Sequence, residues 1–306
     1  MKKAIVTGAN GFVGAAICRE LSKNNVQVIA VVRSRNADIS NLAGLEQLRI
    51  VYCELKDYNE LEQMISDRDI DIFYHMAWSG TSGSLRGDSE VQTDNIRYTC
   101  DAVKVCARMC CKRFVYAASI MEYETEKAIK EELPVEINTI YCTAKLAADY
   151  MARALANDLK IEYIRAVISN IYGPGEVSAR LINTSIRKLL KNEHCAFSPG
   201  EQLYDFIYIT DAAKTFLSIG EKGISNRTYY VGSLQPKPLK EFLVAMKNQI
   251  NPKTEIGLGE IPFGGVSLSY QEFDIQAVQK DTGFVPEVSF EEGIRLTAEW
   301  IKSVEE

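Results

Sequence analysis

Three residues of this chain have the types and spacing to do chemistry together: Ser119, Tyr141 and Lys145. Ser119 ends the apolar run Phe114-Val-Tyr-Ala-Ala-Ser119, which reads as a strand presenting a hydroxyl at its carboxyl end. That is the crevice where open α/β sheets bind ligands. Twenty-two residues later comes Tyr141-Cys-Thr-Ala-Lys145. Positions i and i+4 of a helix share a face, so the phenol and the ammonium can address one site. A phenol has a pKa near 10, so forming phenolate at pH 7 costs about 4 kcal/mol, and a nearby cation reduces that cost. The chemistry this allows is proton exchange with a substrate oxygen, supported by the serine hydroxyl where negative charge develops. Tyr-x-x-x-Lys alone also describes a surface tyrosine beside a solvated lysine, so the elements around it must decide.

The first fourteen residues supply the partner feature. Ala4-Ile5-Val6 runs into Gly8-x-x-Gly11-x-x-Gly14, followed by an amphipathic pattern with Ala15, Ala16, Ile17 and Leu21. A glycine turn between strand and helix lets backbone N–H groups approach a pyrophosphate at the positive end of the helix dipole. The order strand, glycines, helix therefore predicts dinucleotide binding through Gly8, Asn10, Gly11, Phe12, Val13 and Gly14. A cationic nicotinamide beside Tyr141 would further favour its phenolate.

Apolar runs alternate with helical patterns for about 165 residues. Strands are expected at Ala4–Val6, Val26–Val32, Arg49–Cys53, Ile70–Met76, Arg113–Ala117 and Ile161–Val167. Helices are expected at Gly11–Lys23, Tyr58–Ile65, Asp94–Cys111 and Tyr141–Leu159. The pattern predicts an α/β fold with a doubly wound parallel sheet of the Rossmann kind. Beyond Asn170 the rhythm changes, with a break at Gly173-Pro174-Gly175, a helix near Ala179–Lys191 and a strand Phe206–Ile209 returning to the sheet. Thr228–Val231, a helix near Leu239–Ile250 and a terminal helix from about Phe290 to Ser303 complete the chain. Residues 1–169, joined by about 205–232, are expected to form the dinucleotide-binding domain. Residues 170–306 would form a smaller α/β substrate lobe interleaved with it.

Composition narrows the partners. The chain has 306 residues and a formal charge of -6, and no basic run exceeds two residues, so no nucleic acid or membrane surface is expected. No apolar stretch approaches the roughly 18 residues that span a bilayer, and Met1-Lys2-Lys3 leads a first strand rather than a signal peptide. Among eight cysteines, Cys106, Cys110 and Cys111 fall on one predicted helix and the rest are scattered. No C-x-x-C pair occurs, and neither His75 nor His194 has a second ligand at zinc spacing, so no metal is expected and the thiols suit a reducing cytoplasm.

The chain resembles the extended short-chain dehydrogenase/reductases of the NAD-dependent epimerase/dehydratase family, which modify nucleotide sugars. The resemblance rests on Thr7-Gly8-x-x-Gly11-x-x-Gly14, His75-Met-Ala77-Trp78, Asn95, Ser119 with Tyr123, and Tyr141-x-x-x-Lys145. It continues through Asn170-Ile-Tyr-Gly-Pro174, Asp205-Phe-Ile-Tyr-Ile-Thr-Asp211, Thr282-Gly-Phe-Val-Pro286, Glu291-Glu-Gly293 and Trp300. It implies that Tyr141 exchanges the proton, Lys145 holds the nicotinamide ribose, and Ser119 hydrogen-bonds the substrate oxygen. It also implies cofactor contacts from Glu54, Leu55, Ala77 and Trp78, substrate contacts from Met121 and Asn170, and a homodimer. The loop Ser79–Asp88 follows the fourth strand at the ligand edge, where Thr81 could reach substrate; a plain flexible connection would read the same way.

Three departures bear on the reaction. Sugar 4,6-dehydratases follow the catalytic hydroxyl with Asp-Glu, whereas Ser119 is followed by Ile120-Met121 with Glu122 one place late, which argues against dehydration. The second strand ends in Arg33-Ser34-Arg35, where an NAD site usually places a carboxylate. Arg33 and Ser34 suit a 2′-phosphate, so NADP is expected, with NAD possible. Tyr204 stands where many relatives carry an arginine for the diphosphate; Arg180, Arg187 or Lys237 could substitute. The leading expectation is an NADPH-dependent reductase of a nucleotide-linked ketosugar. The alternatives are an epimerase with tightly bound NAD, and a non-catalytic NADP-binding redox sensor.

Overall fold

The computed structural model describes residues 1–134, 139–271 and 273–305. Its strands are β1 (Lys3–Thr7), β2 (Gln27–Val32), β3 (Leu48–Tyr52), β4 (Ile72–His75), β5 (Arg113–Ser119), β6 (Glu162–Ile168), β7 (Asn170–Tyr172), β8 (Cys195–Phe197), β9 (Leu203–Tyr204), β10 (Phe206–Tyr208), β11 (Thr228–Val231), β12 (Lys237–Pro238) and β13 (Ile256–Leu258). The helices are α1 (Phe12–Lys23), α2 (Leu61–Met64), α3 (Ser89–Arg108), α4 (Ile120–Lys130), α5 (Thr139–Asp158), α6 (Leu181–Leu190), α7 (Ile209–Lys222), α8 (Leu239–Ile250), α9 (Ala277–Thr282) and α10 (Phe290–Glu305).

Seven parallel strands form one Rossmann sheet in the order β11-β6-β5-β4-β1-β2-β3. Alternate residues of β1 serve opposite faces, Ala4 and Val6 in one core and Ile5 in the other, as a pleat with both faces covered requires. Helices α1 and α7 pack together on one side, α3 and α5 on the other. The strand order reverses between β1 and β4, which opens the ligand crevice at their carboxyl ends.

Several elements differ from their sequence expectation. The returning strand is β11, not Phe206–Ile209: β10 pairs with β7 outside the large sheet, and Ile209 begins α7. Asn170 fixes that detour, its backbone N–H and Nδ2 both donating to the Asp205 carbonyl. Helix α3 starts early because Asp88 caps it, accepting from Glu90 and Val91 N–H, and it ends at Arg108. Cys110, at φ 56°, and Cys111 therefore lie beyond that helix. Residues 55–64 form a 3₁₀ turn and one helical turn rather than a continuous helix. The late family motifs serve anchoring: buried Asp211 accepts from Glu287 and Val288 N–H at 2.7 Å each, clamping the approach to α10.

Candidate active site

The β1–α1 turn is shaped for an anion. Gly8 has φ +61° and a Cβ there would come within 3.0 Å of Ala77 backbone atoms; a Cβ on Gly14 would meet the Gly8 carbonyl oxygen at 2.2 Å. No side chain caps α1, so the first-turn amides around Phe12 and Val13 face the crevice without a side-chain partner. Asn10 ties this turn to the next loop by donating to the Asp38 carbonyl at 2.9 Å. These features fit a dinucleotide pyrophosphate. At the end of β2, Arg33 is exposed and Ser34 half-buried, and among the described residues neither Arg33 nor Arg35 pairs with a carboxylate. Glu54 is exposed and bridges to Lys56 at 3.0 Å, with Leu55 half-buried beside it.

Beneath the crevice a buried hydroxyl network fixes the end of β4. Thr7 Oγ1 contacts His75 Nδ1 at 3.1 Å and accepts from Met76 and Ala77 N–H, while His75 Nε2 meets Thr99 Oγ1 at 3.2 Å. Burial, aided by Lys145, pushes the His75 pKa down to about 3, so the ring is neutral. The loop after β4 is anchored rather than free. Asn95 accepts from Ser79 N–H and donates to its carbonyl, and Gln92 donates to the carbonyls of Ser79, Gly80 and Leu85. Gln92 also accepts from Trp78 Nε1 at 2.9 Å, fixing the indole over the site.

A cavity of about 550 Å³ brings together Ser119, Tyr141 and Lys145 with Trp78, Thr81, Met121, Asn170, Arg180 and Tyr204. Ser119 leaves β5 as the N-cap of α4, its Oγ accepting from Met121 N–H at 3.3 Å. Tyr141, in the first turn of α5, packs edge-on against Trp78 at 6.1 Å. Burial pushes its phenol up to about 12, opposed first by Arg86. Strand β4 stops opposite Tyr116, and the next β5 carbonyl, that of Ala117, accepts from Lys145 Nζ at 2.8 Å. That ammonium also lies 3.9 Å from the Trp78 ring centre, and burial lowers its pKa to about 8. The cation seated on the Tyr141 ring is thus Arg86, at 4.3 Å, which the sequence reading missed. Its only signal was a basic residue inside the glycine- and serine-rich Ser79–Asp88 loop.

The departures take structural form. Glu122 does not enter the cavity: it completes the capping box, accepting from Ser119 N–H at 2.8 Å. Ile120 and Met121 line the cavity instead. Of the substitutes for a diphosphate-binding arginine, Arg180 lines the cavity, 3.6 Å from Glu176. Arg187 is engaged by Asn183 and Glu305, and exposed Lys237 lies on a different depression. Among the described residues no group of three or more His, Cys, Asp or Glu could hold a metal ion, and no helix is long and apolar enough to cross a membrane.

The sequence pattern of the NAD dependent epimerase/dehydratase family matches residues 4–232. A dTDP-glucose 4,6-dehydratase of Neisseria gonorrhoeae is 23% identical, the match covering 98% of this chain and 95% of that protein. A putative UDP-glucose 4-epimerase of Methanocaldococcus jannaschii is 24% identical over 98% of each chain. The fold is shared with the UDP-glucuronic acid 4-epimerase of Bacillus cereus, solved with UDP-glucuronic acid and NAD: the TM-score is 0.79 at 21% identity, covering 99% of both chains. This chain is an enzyme of the NAD-dependent epimerase/dehydratase family, of the extended short-chain dehydrogenase/reductase type.

Proposed function

We propose that this enzyme is a nucleotide-sugar epimerase that works through a ketone intermediate. Tyr141 exchanges a proton with the sugar oxygen, and Ser119 donates a hydrogen bond to that oxygen as its charge develops. Lys145 and Trp78 border the nicotinamide end of the crevice, and Arg180 meets the substrate diphosphate. A bound nicotinamide would supply the reversible hydride chemistry at the sugar carbon. The supporting observation is that Ser119, Tyr141 and Lys145 line one cavity in which the two positions after Ser119 are apolar. Glu122 is held by the Ser119 amide and does not line the cavity, and the two positions between them are apolar, which speaks against the dehydratase reaction of some relatives.

A reductase shares every one of these residues, and Arg33, which pairs with no carboxylate among the described residues, supports that reading through NADP. Cofactor behaviour separates the two. The epimerase is expected to purify with nicotinamide bound and to interconvert UDP- or dTDP-sugars with no net change in absorbance at the reduced-nicotinamide band. Stoichiometric NADPH oxidation would make it a reductase. Binding of NADP without turnover of any nucleotide sugar would leave a sensor. The same reading assigns residues 1–169, joined by about 205–232, to cofactor binding and 170–306 to the substrate lobe, in a cytoplasmic homodimer.

A further inference from the structure

Directly under the catalytic cavity lies a cluster of charged side chains that the reaction as described does not use. Glu122, Asp149 and Arg165 are each nearly fully buried. Arg165, on β6, donates from Nη2 to Glu122 Oε2 at 2.6 Å, and its Nε lies 3.5 Å from Asp149 Oδ2. Asp149 also accepts from Tyr163 OH and Arg153, both at 2.9 Å. The other oxygen of Glu122 accepts from Ser119 N–H. Replacing a buried ion pair with apolar side chains is often neutral or stabilising, so stability alone does not account for this cluster.

Its position relative to the site does. Glu122 grips the backbone of Ser119, while Lys145 Nζ grips the carbonyl of Ala117, two residues back on β5. The carboxylate and the ammonium thus hold backbone groups two residues apart on one strand, both in a water-poor interior where opposite charges attract strongly. Lys145 also meets the rings of Trp78 and Tyr116 at 3.9 and 5.0 Å and neutral His75. On its own helix lie Tyr141 and, one turn on, the buried Asp149 carboxylate, which is already engaged by Arg153, Tyr163 and Arg165. Burial pushes the Glu122 carboxyl up while Arg165 and Lys145 oppose the rise, and Glu122 is the group that resists the loss of the Lys145 proton. The guanidinium 2.6 Å away and the donated Ser119 N–H both favour the carboxylate form.

We infer that Glu122, held by Arg165, is a positioning residue with two tasks: it fixes the Ser119 end of β5 and it is the buried counter-charge of Lys145. This rests on the proposed roles of Ser119 and Lys145, but the physical claim stands on the protein alone. Two variants divide the tasks. Glu122→Gln keeps an acceptor for Ser119 N–H and removes the charge. The double variant Glu122→Val with Arg165→Leu removes charge and acceptor while leaving no unpaired ion at either position.

The readout is the Lys145 titration, followed by NMR of 15N-lysine-labelled protein and assigned with Lys145→Met, together with hydrogen exchange of the Ser119 amide. Glu122→Gln is expected to lower the Lys145 midpoint by roughly one unit or more, and the double variant, which also removes the Arg165 cation, by less. Only the double variant should speed Ser119 amide exchange, by about tenfold or more. A thermal melt on each confirms the fold. A Lys145 midpoint unchanged in both folded variants overturns the inference, whatever substrate the enzyme turns over. Where turnover has been found, the basic limb of the kcat profile should move to lower pH in Glu122→Gln with little change in KM.

Discussion

The guanidinium of Arg86 stands 4.3 Å from the ring centre of Tyr141, and no carboxylate among the described residues bridges to it. Its hydrogen bonds go to the Thr81 carbonyl at 3.2 Å and to the Met121 thioether. A cation on a phenol face favours the phenolate, so this loop residue opposes the burial that drives Tyr141 toward about 12. Arg86→Met is expected to raise the Tyr141 titration further and to reduce kcat roughly tenfold, in line with 1–2 kcal/mol for a partly desolvated cation–π contact. The pH at which kcat reaches half its maximum should rise as well. A pH profile superimposable on that of the unmodified enzyme would remove Arg86 from the proton-transfer argument.

Tyr141→Phe keeps the ring that packs on Trp78 and loses the transferable proton. Turnover should disappear while cofactor affinity stays nearly constant. Ser119 caps α4 and, in the proposed mechanism, also donates a hydrogen bond to substrate. Ser119→Ala should therefore reduce kcat by about 10²–10³ and stability by only about 1 kcal/mol. Ser119→Thr retains both hydroxyl functions and should recover most of the stability. Comparable kcat for the alanine and native proteins would show that Ser119 only caps the helix.

The parts of this site legible in sequence are those written in local chemistry. Gly8 and Gly14 announce a turn because a Cβ there would be strained or would clash, and i, i+4 spacing suffices to bring Tyr141 and Lys145 to one cavity. What escaped was set by distant partners. Sequence placed Glu122 one position too late for dehydratase chemistry but not where it goes: the helix capped by Ser119 turns it back onto the Ser119 amide. The strand Phe206–Tyr208 has the composition of a sheet strand, yet Asn170 captures it 35 residues away and β11 takes the place beside β6. Arg86 has no motif at all; only the anchoring of its loop by Gln92 and Asn95 brings it to Tyr141.

Cofactor choice rests on the end of β2. Arg33 is exposed and bridges to no carboxylate among the described residues, and Arg35 lies 5.0 Å over the Tyr52 ring. If the cofactor is NADP, Arg33→Ala should weaken it relative to NAD by roughly 1.5 kcal/mol, about tenfold in Kd. Equal Kd values for NAD and NADP in the unmodified protein would establish that these arginines do not select a 2′-phosphate, and would favour the epimerase with bound NAD.

The neutral, buried His75 predicts an acid-side weakness. Its folded pKa, pushed down to about 3, lies below the 6.5 of an unfolded histidine. The unfolded chain therefore binds the extra proton as pH falls through 6.5, and stability drops from there toward pH 3. Above pH 6.5 both states are neutral and nothing is lost. By pH 5 the loss from this group is about 2 kcal/mol. His75→Gln, which retains hydrogen-bonding capacity toward Thr7 and Thr99, should flatten the fall in urea midpoint between pH 7 and pH 5. An equal fall in both proteins would place the acid sensitivity elsewhere.

The proposed dimer narrows to one helix face. Of the small and apolar residues on α3, Ala102, Val103 and Val105 are fully buried within the protomer and Ala107 half-buried, and on α5 Ala144, Ala148, Ala152 and Ala156 are likewise inside. These residues serve the packing of α3 against α5 and the sheet, not an interface. What remains outward on α5 is Ala147, Tyr150, Met151 and Ala154, spaced i, i+3, i+4 and i+7, with Tyr150 60% and Met151 51% exposed. Such a stripe can meet its own copy about a two-fold axis, with the small alanines allowing close helix approach. The same helix carries Tyr141 and Lys145, so pairing would also steady the catalytic face. Tyr150→Asp with Met151→Lys should convert a dimer to monomer in sedimentation at micromolar concentration and lower activity without abolishing it. A native protein that sediments as a fully active monomer would refute both the dimer and its support of the site.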